Sequence, residues 1–143
     1  MQSQSSRQPA ETSHQNLIND AKLILSVDDD QALLYTRQAI LEQAGYEVMS
    51  AKDGLEALAL FGAHPIDLVL LDYVMPKLYG CVVATEMKRR KSYVPIIIVS
   101  EHESLPKALI PADMFIFKSD GPAYLLGQIE NFLASISTLK RSA

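Results

Sequence analysis

The feature that most constrains this chain is the alternation of short apolar runs with longer stretches of helical periodicity from residue 22 onward. The run IDLVLL at residues 66–71 is too short for a buried helix and too apolar for a half-exposed strand. It therefore predicts a central strand of a parallel sheet. No internal repeat or long linker interrupts the alternation, which predicts a single α/β domain.

The same pattern places five strands and the helices between them. The predicted strands span residues 23–27, 47–51, 66–71, 96–100 and 113–117. The predicted helices span residues 31–44, 54 to about 61, and 82–91, and a last helix starts near Pro122. Gly45 is expected to end the first helix, and Asp53 to cap the second. Residues 1–20 are rich in Gln and Ser and predict a disordered arm, which leaves residues 21–140 as the folded domain.

Charge and composition argue against several classes of partner. The formal net charge is −4, and the basic cluster at residues 88–91 is too small to indicate nucleic acid binding. The N-terminal region lacks the apolar run of a signal peptide or a membrane span. Cys81 is the single cysteine, so no internal disulfide can form. We therefore expect a cytoplasmic protein that binds neither nucleic acid nor membrane.

Polar side chains follow four of the predicted strands at the point where each strand ends. They are Asp28 and Asp29 after the first strand, Asp72 after the third, Ser100 at the end of the fourth, and Lys118 after the fifth. In an open parallel sheet these ends share one edge, where ligands bind. Each residue alone has a structural explanation, as a cap, a turn residue or a solvated lysine. The functional argument therefore depends on the whole set.

This set has the chemistry of a phosphoryl site. Three carboxylates at the mouth of an apolar sheet repel one another unless a cation neutralises them. Oxygen ligands without His or Cys select a hard ion, and an incomplete carboxylate set suits Mg²⁺, which keeps waters and shares a phosphate. Lys118 and Ser100 would supply a cation and a hydroxyl from the other side of the site.

Four motifs, in this order, resemble those of the response-regulator receiver domain over residues 22 to about 133. ILSVDDD resembles its acidic-pocket motif, LVLLDYVMP with Gly80 its phosphorylation-site motif, IIIVS its switch hydroxyl, and FIFK its lysine motif. The resemblance implies a doubly wound, five-stranded parallel sheet of flavodoxin-like strand order 2-1-3-4-5, with helices on both faces.

The resemblance also implies a role for each residue of the set. Asp72 would accept a phosphoryl group from a histidine kinase, a histidine phosphotransfer protein or acetyl phosphate, as in a phosphorelay of two-component signalling. Lys118 and Ser100 would bind the phosphoryl oxygens. Mg²⁺ would be held by three carboxylates and one backbone carbonyl, those of Asp28, Asp29, Asp72 and Val74. The chain would assist its own phosphorylation and dephosphorylation without being a turnover enzyme.

The switch implied by the resemblance has two states. Ser100 moves onto the new phosphoryl group, and Phe115 turns inward into the space that Ser100 leaves. Phosphorylation would thereby change the binding of a downstream protein, whose identity the sequence does not reveal. A homodimer is another form that this response can take.

Two departures from the family pattern concern the reaction itself. Glu101 stands where the family usually has a small residue, so its carboxylate either modulates access to the phosphoryl group or points to solvent. Val74 and His102 flank the path of the water that hydrolyses the acyl phosphate in the family. Because valine cannot orient that water, we predict a long-lived phosphoryl group.

A third departure concerns the segment between the fourth and fifth strands. Only 14 residues separate Ser100 from Phe115, and Pro106 and Pro111 crowd that stretch. Proline disrupts the interior of a helix. We therefore predict that the fourth helix is short or irregular.

Two other functions stay open on the sequence alone. A degenerate receiver would bind partners independently of phosphorylation, as Glu101 and the shortened segment suggest. Phosphatases with an aspartyl nucleophile have an Asp-x-Asp pattern. This sequence resembles it only at Asp72, because Val74 stands at the position of the second acid. No DNA-binding output domain follows in the sequence, so we expect a stand-alone domain.

Overall fold

Strands and helices alternate along the part of the chain described by the structure, a computed structural model. It describes residues 21–75, 77–101 and 105–142, with side chains as far as residue 136. The arm expected at residues 1–20 and the modulating residue His102 lie outside the described residues. The strands are β1 (Leu23–Val27), β2 (Glu47–Ala51), β3 (Leu68–Asp72), β4 (Ile96–Ser100) and β5 (Met114–Phe117). The helices are α1 (Gln31–Gln43), α2 (Gly54–Ala63), α3 (Gly80–Arg90) and α4 (Pro122–Ser142), with 3-10 turns at Lys107–Leu109 and Lys118–Asp120.

The five strands form one parallel sheet. Their order is β2-β1-β3-β4-β5, and each pair of neighbours is parallel. The chain winds to one side from β1 to β2 and to the other side from β3 onward, so the strand order reverses between β1 and β3. The predicted doubly wound sheet of order 2-1-3-4-5 is confirmed. This reversal is where ligands bind in such folds.

Two hydrophobic layers enclose the sheet because successive side chains of a strand point to opposite faces. Helices α2 and α3 cover one face, where the packed residues include Val69, Leu71, Ile96, Ile98, Phe61, Val83 and Met87. Helices α1 and α4 cover the other face, where they include Ile24, Leu68, Leu70, Ile97, Leu41, Leu125 and Ile129. Strands β3 and β4 are buried along their whole length. The rigid centre of the molecule therefore carries the site residues at the ends of these strands.

The two ends of α1 and the start of α2 lie where the sequence predicts them. Asp53 Oδ1 accepts a hydrogen bond from Glu56 N (2.8 Å), which caps α2 as predicted. Asp30 Oδ1 accepts one from Leu33 N (3.1 Å) and caps α1 in the same way. Gly45 follows α1 with φ +102°, a conformation that glycine adopts without strain. The caps at Asp30 and Asp53 fix two loops that leave the carboxyl edge of the sheet, whereas Gly45 lies at the opposite edge.

The segment between β4 and β5 holds no regular α-helix in its described part. It contains the single 3-10 turn Lys107–Leu109, as expected for a short or irregular fourth helix. The segment rejoins the sheet through Asp113, whose Oδ2 accepts from Ile96 N (2.7 Å) and lies 2.8 Å from Lys88 Nζ. Within the described ranges, none of the helices has the length and apolar character needed to cross a membrane.

Candidate functional site

The strand register brings the predicted site residues together at the carboxyl edge of the sheet. The last paired positions of neighbouring strands are Val27 with Leu71, Asp72 with Val99, and Ser100 with Phe117. Asp28 directly follows the first of these pairs, and Lys118 directly follows the last. The register therefore places Asp28, Asp72, Ser100 and Lys118 side by side across four strands.

Three carboxylates form the acidic part of the site. One oxygen from each of Asp28, Asp29 and Asp72 lies within 4.8 Å of the other two. Asp28 is fully buried, Asp72 is 5% exposed, and Asp29 faces solvent. Asp28 Oδ1 accepts a hydrogen bond from Asp30 N (3.0 Å), so the start of α1 orients this carboxylate. The arrangement joins two buried negative charges with one at the surface.

Lys118 is the cation that faces these carboxylates. Its Nζ lies 3.0 Å from Asp28 Oδ2, 3.5 Å from Asp72 Oδ1 and 4.0 Å from Glu101 Oε2. Burial tends to lower the pKa of Lys118, but the contact with Asp28 and the charges of the other carboxylates outweigh it, and the pKa rises above its usual value. Lys118 is therefore a protonated lysine shared among three acids.

The local turn after β5 fixes the backbone that carries Lys118. Residues Lys118–Asp120 form a 3-10 turn, and Asp120 Oδ2 accepts a hydrogen bond from Phe117 N (2.9 Å). Gly121 follows with φ +87°. The side chain of Lys118 thus starts from an ordered backbone and reaches inward across the site.

The environment of Asp72 favours its protonated form. Burial and the negative charge of Asp28 raise the pKa of Asp72 to about 6, against the opposing effect of Lys118. Asp29 adds to the rise. Near neutral pH the carboxylate is still mostly ionised, so it can act as a nucleophile, but the site holds this charge at a cost.

The carboxylates fit a hard divalent cation. Asp28 Oδ2 is buried, and no described group gives it a directed hydrogen bond, since Lys118 approaches it as an ion pair. A cation bound between Asp28, Asp29 and Asp72 would satisfy this oxygen. The cleft over the carboxylates is also lined by Val74, Ser100 and Glu101, and a role of the Val74 carbonyl as a metal ligand stays a prediction. An all-oxygen set of this kind suits Mg²⁺.

The loop after β3 depends on Gly80. Its amide donates a hydrogen bond to Tyr73 O (2.8 Å), which folds the loop back on the end of β3. A Cβ at this position would lie 2.6 Å from the carbonyl oxygen of Asp72. Because real Cβ atoms do not approach an oxygen so closely, only glycine fits without moving Asp72. Gly80 is therefore needed for the geometry of the acidic site.

The two proposed switch residues lie on β4 and β5. Ser100 is 2% exposed and lines the cleft with Asp72 and Lys118. Phe115 is half-buried and packs against the hydrophobic layer beneath α2 and α3. Lys107 Nζ stands 5.6 Å from the centre of its ring, a cation–π contact made by the irregular segment before β5. Ser100 lies at the end of β4 and Phe115 within β5, and their role and movement as switch residues stay predictions.

Arg37 is a residue of the site that the sequence alone did not reveal. This residue of α1 is 6% exposed, and its Nη2 lies 4.0 Å from Asp28 Oδ2. Its Nη1 donates to Ser26 Oγ (3.4 Å) in the middle of β1. Burial lowers the pKa of Arg37, although the charges of Asp28 and Asp72 oppose this. A polar Ser26 in an apolar strand, and an arginine spaced with Leu34 and Leu41 on one face of a helix, were the available signals.

Known proteins are similar to this chain in sequence. The sequence profile described as response regulator receiver domain matches residues 24–129. The probable transcriptional regulator ycf27 of Cyanidium caldarium is 36% identical over 119 residues, which cover 80% of this chain and 47% of that protein. The response regulator SaeR of Staphylococcus aureus is 33% identical over 114 residues, 77% of this chain and 50% of that protein. The chain spans about half the length of these curated relatives.

Solved structures are similar to this chain in fold. A receiver domain protein (CheY-like) from Methanospirillum hungatei gives a TM-score of 0.79 at 31% identity, covering 82% of this chain and 98% of that one. The response regulator TrrA from Thermotoga maritima, solved in complex with Mg(2+)-BeF, gives a TM-score of 0.73 at 32% identity, covering 77% and 97%. With the sheet, the edge residues and the family profile in agreement, this chain belongs to the response regulator receiver domain family.

Proposed function

We propose that this receiver domain is a phosphorylation switch that accepts a phosphoryl group on Asp72 and thereby changes its binding to a partner protein. The observation that carries the proposal is the position of Lys118 Nζ, 3.0 Å from Asp28 Oδ2 and 3.5 Å from Asp72 Oδ1. A cation so placed can neutralise the free carboxylate and can then follow a phosphoryl group attached to it.

Side chains other than that of Asp72 take little part in the covalent chemistry of the transfer. A carboxylate oxygen of Asp72 forms a bond to phosphorus while the bond from phosphorus to the donor breaks. The donor keeps the electron pair of that bond. The leaving group of acetyl phosphate is acetate, and that of a phosphohistidine is the histidine imidazole, which takes a proton from water. The protein positions the two reactants and neutralises the negative charge around a loose transition state. Lys118 and Ser100, which line the same cleft as Asp72, would bind the phosphoryl oxygens.

A divalent cation is part of the proposal. Asp28, Asp29 and Asp72, with the backbone carbonyl of Val74, are the residues that would hold Mg²⁺, which would neutralise the carboxylates and share the phosphoryl oxygens. The similarity to TrrA, which was solved in complex with Mg(2+)-BeF, supports this choice of ion. The buried Oδ2 of Asp28 supports it independently.

The phosphoryl donor and the output are proposed at the level of protein class. The donor is a histidine kinase or a histidine phosphotransfer protein in the cytoplasm, and acetyl phosphate can replace it in vitro. The output is a downstream protein that recognises the rearrangement of Ser100 and Phe115, or a second copy of this domain. The chain is a stoichiometric acceptor of phosphate, so we do not assign it turnover as an enzyme.

The decisive experiment uses acetyl phosphate with MgCl₂ and intact-protein mass spectrometry. We expect one phosphoryl group on the unchanged protein and none on Asp72→Asn. Asp67→Asn is the matched control, because Asp67 lies at the opposite edge of the sheet and the amide retains an oxygen that can accept from Leu23 N. This control is expected to be phosphorylated like the unchanged protein.

Each alternative function predicts a different outcome of this experiment. No phosphoryl addition to the unchanged protein would refute the proposal and favour a degenerate receiver. Addition that persists in Asp72→Asn would show that another residue is the acceptor. Release of many equivalents of inorganic phosphate per chain from a phosphate monoester, which is not a donor to a receiver domain, would favour the phosphatase with an aspartyl nucleophile.

A further inference from the structure

Arg37 occupies a core position of α1. The buried residues of this helix are Leu34, Arg37 and Leu41, which share one face toward the sheet. Arg37 is only 6% exposed and lies between Leu34 and Leu41 on this face. Burying a guanidinium ion is unfavourable unless opposite charge and hydrogen bonds compensate. The partners of Arg37 therefore indicate why a cation can occupy this position.

The partners of Arg37, Ser26 and Asp28, connect α1 to the acidic site. Ser26 and Asp28 are two residues apart on β1 and its end, so they lie on the same side of the strand, toward α1. Arg37 Nη1 donates to Ser26 Oγ (3.4 Å), and Nη2 lies 4.0 Å from Asp28 Oδ2. The hydrogen bond to a fully buried serine fixes the guanidinium next to the carboxylate.

Arg37 and Lys118 both lie near the same oxygen of Asp28, Oδ2. Lys118 lines the open cleft over the carboxylates, where it also contacts Asp72 and Glu101. Arg37 lines the apolar depression between α1 and α4, whose lining Lys118 shares, and it does not line the open cleft. Arg37 differs from Lys118 in that it is also held by a hydrogen bond to the buried strand residue Ser26.

We propose that Arg37 is a positioning residue that holds the Asp28 carboxylate and weakens the binding of Mg²⁺ to the acidic site by its fixed positive charge. The inference deepens the proposed function, because it rests on the magnesium site described there. The positive charge of Arg37 neutralises part of Asp28 when no metal is bound, and it repels a divalent cation that shares this carboxylate. The site is then occupied at a higher Mg²⁺ concentration than three carboxylates alone would set.

The charge of Arg37 can be removed with little change of shape. Arg37→Met retains a long, flexible side chain in a helix, and Arg37→Gln also retains a donor for Ser26 Oγ. Even at the dielectric constant of water, a unit charge about 6 Å from a divalent ion changes the binding of that ion by a factor of about ten, so this factor is a lower bound. We therefore expect both variants to bind Mg²⁺ about ten times more tightly than the unchanged protein.

The experiment is a titration of the full chain with MgCl₂ at constant ionic strength, followed by the ¹H–¹⁵N NMR shifts of Asp29 and Asp72. The same spectra report whether each variant is folded. Arg37→Lys retains the positive charge at this position, so this variant is expected to bind Mg²⁺ like the unchanged protein. Arg89→Met is the matched control, since Arg89 is exposed on α3 and paired with Glu86 (2.6 Å), and its affinity for Mg²⁺ should not change.

The outcomes separate this inference from the proposed function. Tighter binding in Arg37→Met and Arg37→Gln but not in Arg37→Lys supports the inference, because a merely structural role would weaken binding in all three. If Arg37→Met does not fold, Arg37→Gln decides on the same criterion. Equal or weaker Mg²⁺ binding in the folded neutral variants overturns the inference. An absence of saturable shifts in the unchanged protein overturns the magnesium site itself.

Discussion

Replacing Asp72 by asparagine is expected to change the pH dependence of stability. The pKa of Asp72 is raised from 3.8 to about 6, first by burial and then by the charge of Asp28. The folded state therefore holds the proton more tightly than the unfolded state. The stabilising contribution of the protonated carboxyl is complete below about pH 4 and is lost as the pH rises through about 6. The uncharged amide of Asp72→Asn has no such dependence.

The magnitude follows from the shift of the pKa. A difference of about two units between the folded and unfolded states corresponds to about 3 kcal/mol in the free energy of unfolding. Asp72 is 5% exposed, so solvent screens this effect only weakly. Without metal, Asp72→Asn should gain about 3 kcal/mol relative to the unchanged protein between pH 4 and pH 7.5. Saturating Mg²⁺ should reduce this gain, because the ionised carboxylate then has a cation beside it.

The assay is urea unfolding of both proteins, without metal, at half-unit steps from pH 4 to pH 8. Ser50→Ala is the control. It removes a hydroxyl on β2 that donates to Gln38 of α1 (3.3 Å), and it changes no titratable group. Its difference from the unchanged protein should be the same at every pH. A difference between Asp72→Asn and the unchanged protein that does not vary with pH would refute the electrostatic description of the site.

Three further predictions concern the surroundings of Asp72. Glu101→Gln should raise the rate of phosphorylation by acetyl phosphate about twofold, because it removes a largely exposed carboxylate that lies 4.0 Å from Lys118. An unchanged rate of phosphorylation and an unchanged phosphate lifetime would show that Glu101 only faces solvent. Gly80→Ala should destabilise the fold by about 2 kcal/mol in urea and slow phosphorylation, because its Cβ meets the Asp72 carbonyl; native stability would refute the close approach. Val74→Asn should shorten the lifetime of phosphorylated Asp72 severalfold in a phosphate-release assay, since an amide can orient water; a lifetime of seconds in the unchanged protein would contradict the long-lived state.

Strand bounds were predictable where apolar runs end at charged or polar residues. The residues of β1, β2 and β4 match the prediction position by position. The third strand starts later than predicted, at Leu68, because Asp67 is engaged with Leu23 through its side chain and its amide. It also includes Asp72, which pairs in register with Val99. Apolar character alone does not show such side-chain contacts, nor that the parallel pairing continues into a polar residue.

Helix bounds differ from the prediction for a similar reason. The third helix starts at Gly80, two residues before the predicted start, because the amides of Val82 and Val83 both donate to Tyr79 O. The last helix continues to Ser142, two residues past the expected end of the domain. These ends depend on local backbone hydrogen bonds, and neighbouring residue types specify them only weakly.

The principal site residues were predictable because a parallel sheet places the ends of its strands at one edge. Asp28, Asp72, Ser100 and Lys118 needed no information beyond strand order and direction. Arg37 was not predictable in this way, because a helical arginine is usually solvated and its partner Asp28 lies nine residues away in sequence. Its position depends on how α1 packs against β1, which is a tertiary property.

The charges of the site support a role for Arg37 in the proposed reaction. Among the described residues, the three carboxylates of the metal set face two cations, Lys118 and Arg37, which leaves one excess negative charge when no metal is bound. This count leaves out Glu101, whose carboxylate is largely exposed to solvent and therefore screened. With a divalent cation bound, the same groups have one excess positive charge, which favours the approach of an anionic phosphoryl donor. Conversion of the Asp72 carboxylate to an acyl phosphate of about two negative charges then brings the site close to neutrality. Without Arg37 the metal-bound site would be neutral before transfer and negative after it, so its buried guanidinium would favour the phosphorylated state even as it weakens the binding of metal.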